Sequence, residues 1–423
     1  MLYSRIAESL QAISQSTPAK KAQIAACLLR EASPDMLCPV VRLLLGELWP
    51  RWEEWEMGIG PEAVAAALAE VSRLSMKEMA GLREGERDMG IVAQMALFQK
   101  GQNSLSSEPL HARSVYDVLR QVSRQSGRES EQRKSSLLRG LFLQASPLEG
   151  RFIARTALRS MKAGIGRRTM ISALAMALGH KPSEISQAFG LLPDMGLVAE
   201  AAGKGELEKI AMRPSIPVGF MIFGRCREED APGLSSNTSA MNGPALLPVY
   251  PGLRVQVHKS NRDVSIFTSR LRPIGSAFRS FEDIDADFIL DAYLTGFQRA
   301  EAGFESSRIC SHREILGYIN RRRLTRKSSL SVSLLAYDIL YLNGESLCSL
   351  PYLERRKSLI ALLGSPRSIP FSGISPVEEQ TAGGDAAGLL PEIRKAGGKA
   401  LQVRQPHGLY LPGEAGRGDC IIR

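Results

Sequence analysis

Two glycine pairs in the first half of the chain, Gly58-Ile59-Gly60 and Gly164-Ile165-Gly166, carry residue types suited to holding an anion. Glycine lets a phosphate approach the backbone closely, and the open N–H groups and dipole of a following helix favour negative charge. Lys162 precedes the second pair, and Arg167 and Arg168 follow it. Lys162, Gly164, Gly166, Arg167 and Arg168 are therefore candidate contacts to a phosphate backbone. Pro61-Glu62 follows the first pair instead, which suits a plain helix start and repels phosphate. Tight helix packing or a simple turn is the alternative reading of either pair.

Other reactive residue types are scattered. The five histidines (His111, His180, His258, His312, His407) have no ligand spacing. The six cysteines (Cys27, Cys38, Cys226, Cys310, Cys348, Cys420) form no C-x-x-C pair. No metal site is expected, and the cysteine pattern speaks for a reducing cytoplasm rather than a secreted disulfide scaffold. The amino end, Met1 to Glu8, is amphipathic with an early acid and is not read as a signal peptide. No apolar run reaches the roughly 18 residues that would span a bilayer. A soluble cytoplasmic protein with no membrane partner is expected. Lys and Arg exceed Asp and Glu by 54 to 44, a net +10. That balance attracts a polyanion such as nucleic acid, although a solvated basic surface gives the same excess. Arg321-Arg322-Arg323 with Arg326 and Lys327 is a second basic cluster, suited to a DNA backbone or to an exposed helix face.

The elements that must position these residues fall into two halves. A chain of 423 residues predicts two or three domains. From residue 1 to about 205, apolar residues recur at three- and four-residue spacing, as in Val40/Val41/Leu44/Leu45/Leu48 and Val64/Leu68/Val71/Leu74. This half reads as all helical. It contains an internal repeat. Gly58-Ile59-Gly60 and Asp88-Met89-Gly90 recur as Gly164-Ile165-Gly166 and Asp194-Met195-Gly196, both at an offset of 106. Two motifs keeping one offset predict two related helical subdomains. Residues 206–245 read as a linker. From 246 to 423 the period switches to two at Val255/Val257, Val264/Ile266, Phe288/Leu290 and Val332/Leu334. That pattern predicts an α+β domain with antiparallel sheets, with helices near Arg313–Arg323 and Leu353–Leu363.

The stretch Val249-Tyr250-Pro251-Gly252-Leu253-Arg254 resembles the K-x-D-G-x-R signature of the ATP-dependent DNA ligases of archaeal and eukaryotic type. The resemblance extends over nearly the whole second half, most clearly at Tyr337-Asp338-Ile339-Leu340-Tyr341-Leu342-Asn343-Gly344-Glu345 and at Gln405-Pro406-His407-Gly408-Leu409-Tyr410-Leu411-Pro412-Gly413. In the first half, Glu149 to Arg155 and Lys162 to Gly166 resemble the L-R-I-G segment of the ligase DNA-binding domain. The resemblance implies a multidomain protein: a helical DNA-binding domain at 1–205 and a nucleotidyltransferase (adenylation) domain at 246–423. The family's C-terminal oligonucleotide-binding barrel is expected to be absent. Lys162 replaces the family arginine, keeping the charge and losing the planar fork.

What the resemblance implies at the site departs from the family pattern in one direction. The lysine that would attack ATP is Val249, and the acid two residues on is Pro251. A nucleophilic amine cannot be supplied by valine. The I-L-D-G-E strand reads Ile289-Leu290-Asp291-Ala292-Tyr293, and the E-G-x-x-V-K strand reads Lys399-Ala400-Leu401-Gln402-Val403-Arg404. An acid expected to hold a divalent ion is thereby a lysine. Gly252, Arg254, Arg270, Tyr337, Arg404 and Arg423 persist as a nucleotide-pocket remnant, with Tyr337 where the family stacks adenine. Lys259 is the nearest alternative amine. Its displacement along a strand carries it away from the phosphate and onto the other face.

The expected function is binding of duplex or nicked DNA in repair, replication or recombination without self-adenylation, so neither cofactor nor catalytic residue is assigned. A repair or replication protein is a further expected partner. The alternative is an active ATP- and Mg2+-dependent ligase using an unrecognised nucleophile or a partner-supplied domain. A third possibility is a protein-binding module whose cleft holds a peptide.

Overall fold

The computed structural model describes the chain except residues 100–107, 228–242, 275–280, 282–283, 301–302, 323–329, 368–372, 380–388 and 423. The basic cluster at 321–327 and Arg423 lie outside the described side chains. The chain divides into two compact units, Met1–Phe189 with Asp194–Ile210, and Gly190–Pro193 with Ala211–Arg423.

Among its described residues the first unit is built from twelve helices. They are α1(Tyr3–Ser14), α2(Pro18–Arg30), α3(Pro34–Leu45), α4(Pro61–Ser72), α5(Met76–Gly85), α6(Met89–Gln99), α7(Ala112–Arg124), α8(Ser130–Gln144), α9(Pro147–Ala157), α10(Arg167–Leu178), α11(Pro182–Leu191) and α12(Met195–Gly203). Local sequence explains many of their starts. Proline opens α2, α3, α4 and α9, where a missing N–H costs no helical bond. Ser75 with Glu78, and Ser146 with Glu149, form reciprocal capping boxes at α5 and α9. Gly46 and Gly179 end α3 and α10 with φ of 68° and 75°, the left-handed conformation that glycine adopts without strain.

The helices of the two halves are exchanged. α4 and α6 pack on α8 and α9, while α10 and α12 pack on α2 and α3. The Asp-Met-Gly blocks hold these exchanged pairs together. Asp88, ahead of α6, accepts from Arg155 of α9 at 2.8 Å, and Asp194, ahead of α12, accepts from Arg42 of α3 at 3.0 Å. The glycines admit the arginine stems. A Cβ on Gly90 would lie 2.6 Å from Arg155 Cγ, and one on Gly196 would lie 2.9 Å from Arg42 Cγ. Both ion pairs are buried, so loss of either partner would strand a charge away from water.

Among its described residues the second unit contains two sheets. The smaller has the order β1(Ile222–Arg225), β12(Ala415–Ile422), β11(Ala400–Arg404), β2(Ala245–Val249). The larger runs β10(Gly373–Pro376), β8(Leu330–Leu342), β6(Phe288–Ala300), β3(Leu253–Ser260), β4(Asp263–Thr268), β5(Pro273–Ile274), with β7(Gly303–Ile309) on β6 and β9(Glu345–Ser346) on β8. The expected antiparallel sheets need one correction: β1 pairs β12, and β10 pairs β8, in parallel. Both are short strands joined to the sheet after a long excursion of chain, so neither direction was fixed by a hairpin. β1 falls inside the stretch read as a linker, because four exposed or half-buried residues show no alternation.

Helices α13(His312–Arg322), α14(Tyr352–Leu363) and α15(Leu389–Lys395) complete the unit. Val255, Val257, Leu290, Leu294, Leu334 and Ile339 form the core on one face of the larger sheet. Residues of β2, β6, β8, β11 and α14 form a separate cluster rich in tyrosine.

Two of the six cysteines are linked. Cys226, just after β1, and Cys420 of β12 form a disulfide with Cα atoms 6.2 Å apart. Their separation of 194 residues hides the pairing from any spacing rule. No helix among the described residues is long and apolar enough to cross a membrane.

Candidate functional site

The chain leaves β2 at Val249, turns through Tyr250-Pro251-Gly252 and enters β3. The turn lies so close to β6 that a Cβ on Gly252 would meet the Leu294 carbonyl oxygen at 2.3 Å, which only glycine avoids. Thr295 Oγ1 donates to Pro251 O at 2.8 Å, Lys399 N donates to Val249 O at 2.7 Å, and the Tyr337 hydroxyl donates to Pro248 O. The backbone of the turn is thus held from β6, β8 and the start of β11.

The Val249 side chain is 1% exposed. It packs in the cluster containing Tyr250, Tyr293, Tyr337, Tyr352, Leu335 and Ala400. The Tyr293 and Tyr337 rings stand 5.0 Å apart. Burial pushes the Tyr337 hydroxyl well above its ordinary pKa, so it acts as a neutral donor. Lys399 is exposed, with its ammonium 5.9 Å from the centre of the Tyr293 ring. Valine, tyrosine and lysine therefore meet where the sequence comparison expects a lysine and two acids. Among the described residues there is no group of three metal-ligating side chains.

Arg254, half-buried, and Arg404, fully buried, are each matched by carboxylates. Arg254 donates through Nε and Nη2 to Asp291 at 3.0 and 2.5 Å, and through Nη1 to Met221 O at 2.8 Å. Tyr410 donates to the same Asp291 carboxylate at 2.9 Å. Arg404 is fully buried, 2.6 Å from Asp338 and 3.1 Å from Asp419. Asp338 also accepts both Nε and Nη2 of Arg355, at 2.8 and 3.0 Å. Burial alone would push the Asp338 carboxyl up, but Arg355 and Arg404 hold it below its ordinary value. For Asp419 burial wins over Arg404, and its carboxyl is raised.

Sequence reasoning named Arg254, Arg404 and Tyr337 but gave no role to Asp291, Asp338, Asp419 or Tyr410. The partner pairs lie 37, 66 and 119 residues apart: Arg254 and Asp291 meet through the β3–β6 pairing, and Arg404 reaches Asp338 from the other sheet, as Tyr410 reaches Asp291 from the segment between β11 and β12.

The remaining named residues sit apart from this cluster. Arg270 is exposed in the turn after β4. Lys259, near the far end of β3, donates to Asn261 O at 2.6 Å and Ala286 O at 3.4 Å. Six residues of strand separate it from Leu253, roughly 20 Å at the ordinary strand rise.

In the helical unit, Lys162, Gly164, Gly166, Arg167 and Arg168 are all exposed around the start of α10. Gly166 is the extended N-cap residue, and no side chain caps the helix. Gly164 has φ of 67°, and its carbonyl accepts from Lys21 Nζ at 3.1 Å. The first glycine pair has the same support: Lys134 Nζ donates to Met57 O at 2.9 Å and Gly58 O at 3.4 Å. Lys21 and Lys134 were not singled out in the sequence because their motifs lie far away. Lys162 Nζ is 3.3 Å from Asp88, and Arg167 stands 4.6 Å from the Phe189 ring centre.

These features define a helical module and an adenylation-type unit of two sheets with a nucleotidyltransferase-like turn between β2 and β3. Family comparison resolves the class. Residues 2–205 match the model described as DNA ligase N terminus, and residues 248–419 match the ATP dependent DNA ligase domain. The chain belongs to the ATP-dependent DNA ligase family. It is 28% identical over 433 residues to DNA ligase 2 of Methanosarcina acetivorans, covering 98% of this chain and 75% of that protein. It is 29% identical over 427 residues to a DNA ligase of Methanothermobacter thermautotrophicus, covering 99% and 74%. A solved structure named Pmar-Lig_Pre matches at a TM-score of 0.52 with 12% identity, over 99% of this chain and 77% of that one, a likeness of fold alone.

Proposed function

We propose that the protein is a DNA ligase-like, sequence-tolerant binder of duplex or nicked DNA that does not adenylate itself. The observation that carries this reading is Val249: a side chain with no lone pair, closed into a tyrosine cluster at the position of the family nucleophile. The residues beside it do not fit a divalent cation either, since Tyr293 and Lys399 offer no carboxylate. The basic loop at Lys162–Arg168 supplies the DNA contact, through phosphates rather than base edges. A part in repair, replication or recombination, with a protein partner from those processes, follows from the family.

The test is transfer of label from ATP tagged on its α-phosphate, with Mg2+, run beside gel shift of nicked and intact duplex. No labelled protein, together with a shift that weakens steeply with salt, is expected. A covalently labelled protein would overturn the proposal and establish the active-ligase alternative. Absence of any DNA shift would also overturn it, in favour of a protein-binding module.

A further inference from the structure

We propose that β1 is a redox-latched strap over two arginines, the half-buried Arg254 and the buried Arg404. Strand β1 places Phe223 with its ring centre 4.6 Å from the Arg254 guanidinium carbon and 5.4 Å from that of Arg404. Phe220, just upstream, lies 5.2 Å from the same Arg254 carbon. Two rings of one short segment therefore rest on two guanidiniums that the family resemblance assigns to the nucleotide pocket. Aromatic faces suit this position because they attract guanidinium without adding a charge.

The strap is weakly held along its length and firmly held at its ends. β1 is an edge strand of four residues whose sheet neighbour is β12, with an irregular register between Ile222 and Gly224. Ile222 is 56% exposed. Upstream, Val218 exchanges two hydrogen bonds with the buried Gln256 amide, at 3.0 and 2.8 Å, and Met221 N donates to Tyr410 at 3.1 Å. Downstream, Gly224 and Arg225 pair with Cys420 and Ile421, Cys226 N donates to Ile421 O at 3.3 Å, and the covalent fastening is the Cys226–Cys420 disulfide. A short edge strand has little independent stability, so the disulfide decides whether its downstream end stays on the sheet.

The chemistry is thiol–disulfide exchange. One thiolate of a dithiol reductant attacks a sulfur of the Cys226–Cys420 bond, giving a mixed disulfide and one protein thiolate. The reductant's second thiolate then releases the other cysteine, so two electrons and two protons pass to the protein and the reductant becomes a disulfide. Re-fastening runs in reverse with a disulfide oxidant such as oxidised glutathione. Released, residues 222–226 leave β12 and uncover the Arg254 and Arg404 side of the unit. The redox state of the two cysteines then governs access to these arginines.

The test uses the full chain. After oxidised glutathione and alkylation of free thiols, non-reducing peptide mapping is expected to recover a Cys226–Cys420 linked pair. Hydrogen exchange with and without dithiothreitol is then compared. Reduction is expected to speed exchange in 222–226 by about tenfold or more, while β6 and β8 keep their rates. Cys226→Ser is expected to exchange at the fast rate in either condition, and Cys420→Ser serves equally if that variant misfolds. Alkylation of both cysteines in the oxidised protein would overturn the proposal. So would a linked pair whose reduction leaves 222–226 as protected as before.

Discussion

Acid should weaken the α+β unit through His258, and the size of the effect can be worked out. The imidazole is 1% exposed, with Nε2 3.2 Å from Gln256 Oε1, Nδ1 without a hydrogen-bond partner, and its ring edge-on to Phe267. Burial lowers its pKa from 6.5 to about 3. The unfolded chain therefore binds a proton below pH 6.5 that the folded protein refuses until about pH 3. Stability from this group is present above pH 6.5 and is lost as pH falls towards 3. At pH 5 the unfolded state has gained about 1.5 pH units of protonation free energy, about 2 kcal/mol, at 1.36 kcal/mol per unit.

His258→Phe removes the titration at small structural cost. Nδ1 makes no hydrogen bond to lose, and Gln256 Oε1 still accepts from Val218 N at 3.0 Å. Tryptophan fluorescence would not report the change, since Trp49, Trp52 and Trp55 all lie in the helical unit. Amide exchange in β3 and β6 reads the right unit, and intrinsic rates cancel when wild type and variant share a pH. The exchange rate of wild type relative to variant should rise roughly 30-fold between pH 7.5 and pH 5 for 2 kcal/mol of linkage. A ratio constant within about twofold would refute the reasoning, because His258 would then titrate alike in both states.

Two further outcomes follow from the geometry. Asp338→Asn leaves Arg355 without its buried carboxylate and Arg404 with Asp419 alone. Breaking such a pair from one side costs about 3–5 kcal/mol, so thermal unfolding of the α+β unit should begin roughly 10 °C lower. Scanning calorimetry checks it, and an unchanged transition would show that the network contributes little. Replacing Lys162, Arg167 and Arg168 together by alanine should weaken duplex binding equally across sequences. If each meets one phosphate, the slope of log affinity against log salt should flatten by about 2.7, and equilibrium binding at several salt concentrations measures it.

Much of the helical unit was legible in one dimension. The apolar spacing of Val64, Leu68 and Val71 writes a buried face, because it depends on neighbours within a turn or two. That Val249 carries no nucleophilic amine was equally visible, since a side chain's chemistry is fixed by its type. What surrounds that side chain was not. Tyr293, Tyr337 and Tyr352 join the cluster of Val249 from β6, β8 and α14, and no local pattern states that they converge. The same holds for Asp88 with Arg155, Arg254 with Asp291, Arg404 with Asp338, and Cys226 with Cys420, separated by 67, 37, 66 and 194 residues. Sequence determined the elements and the chemistry each residue could offer. Helix exchange, strand pairing and the packing of elements from the two sheets decided which charges were neutralised, because contact between distant residues is set by how whole elements pack and not by their spacing along the chain.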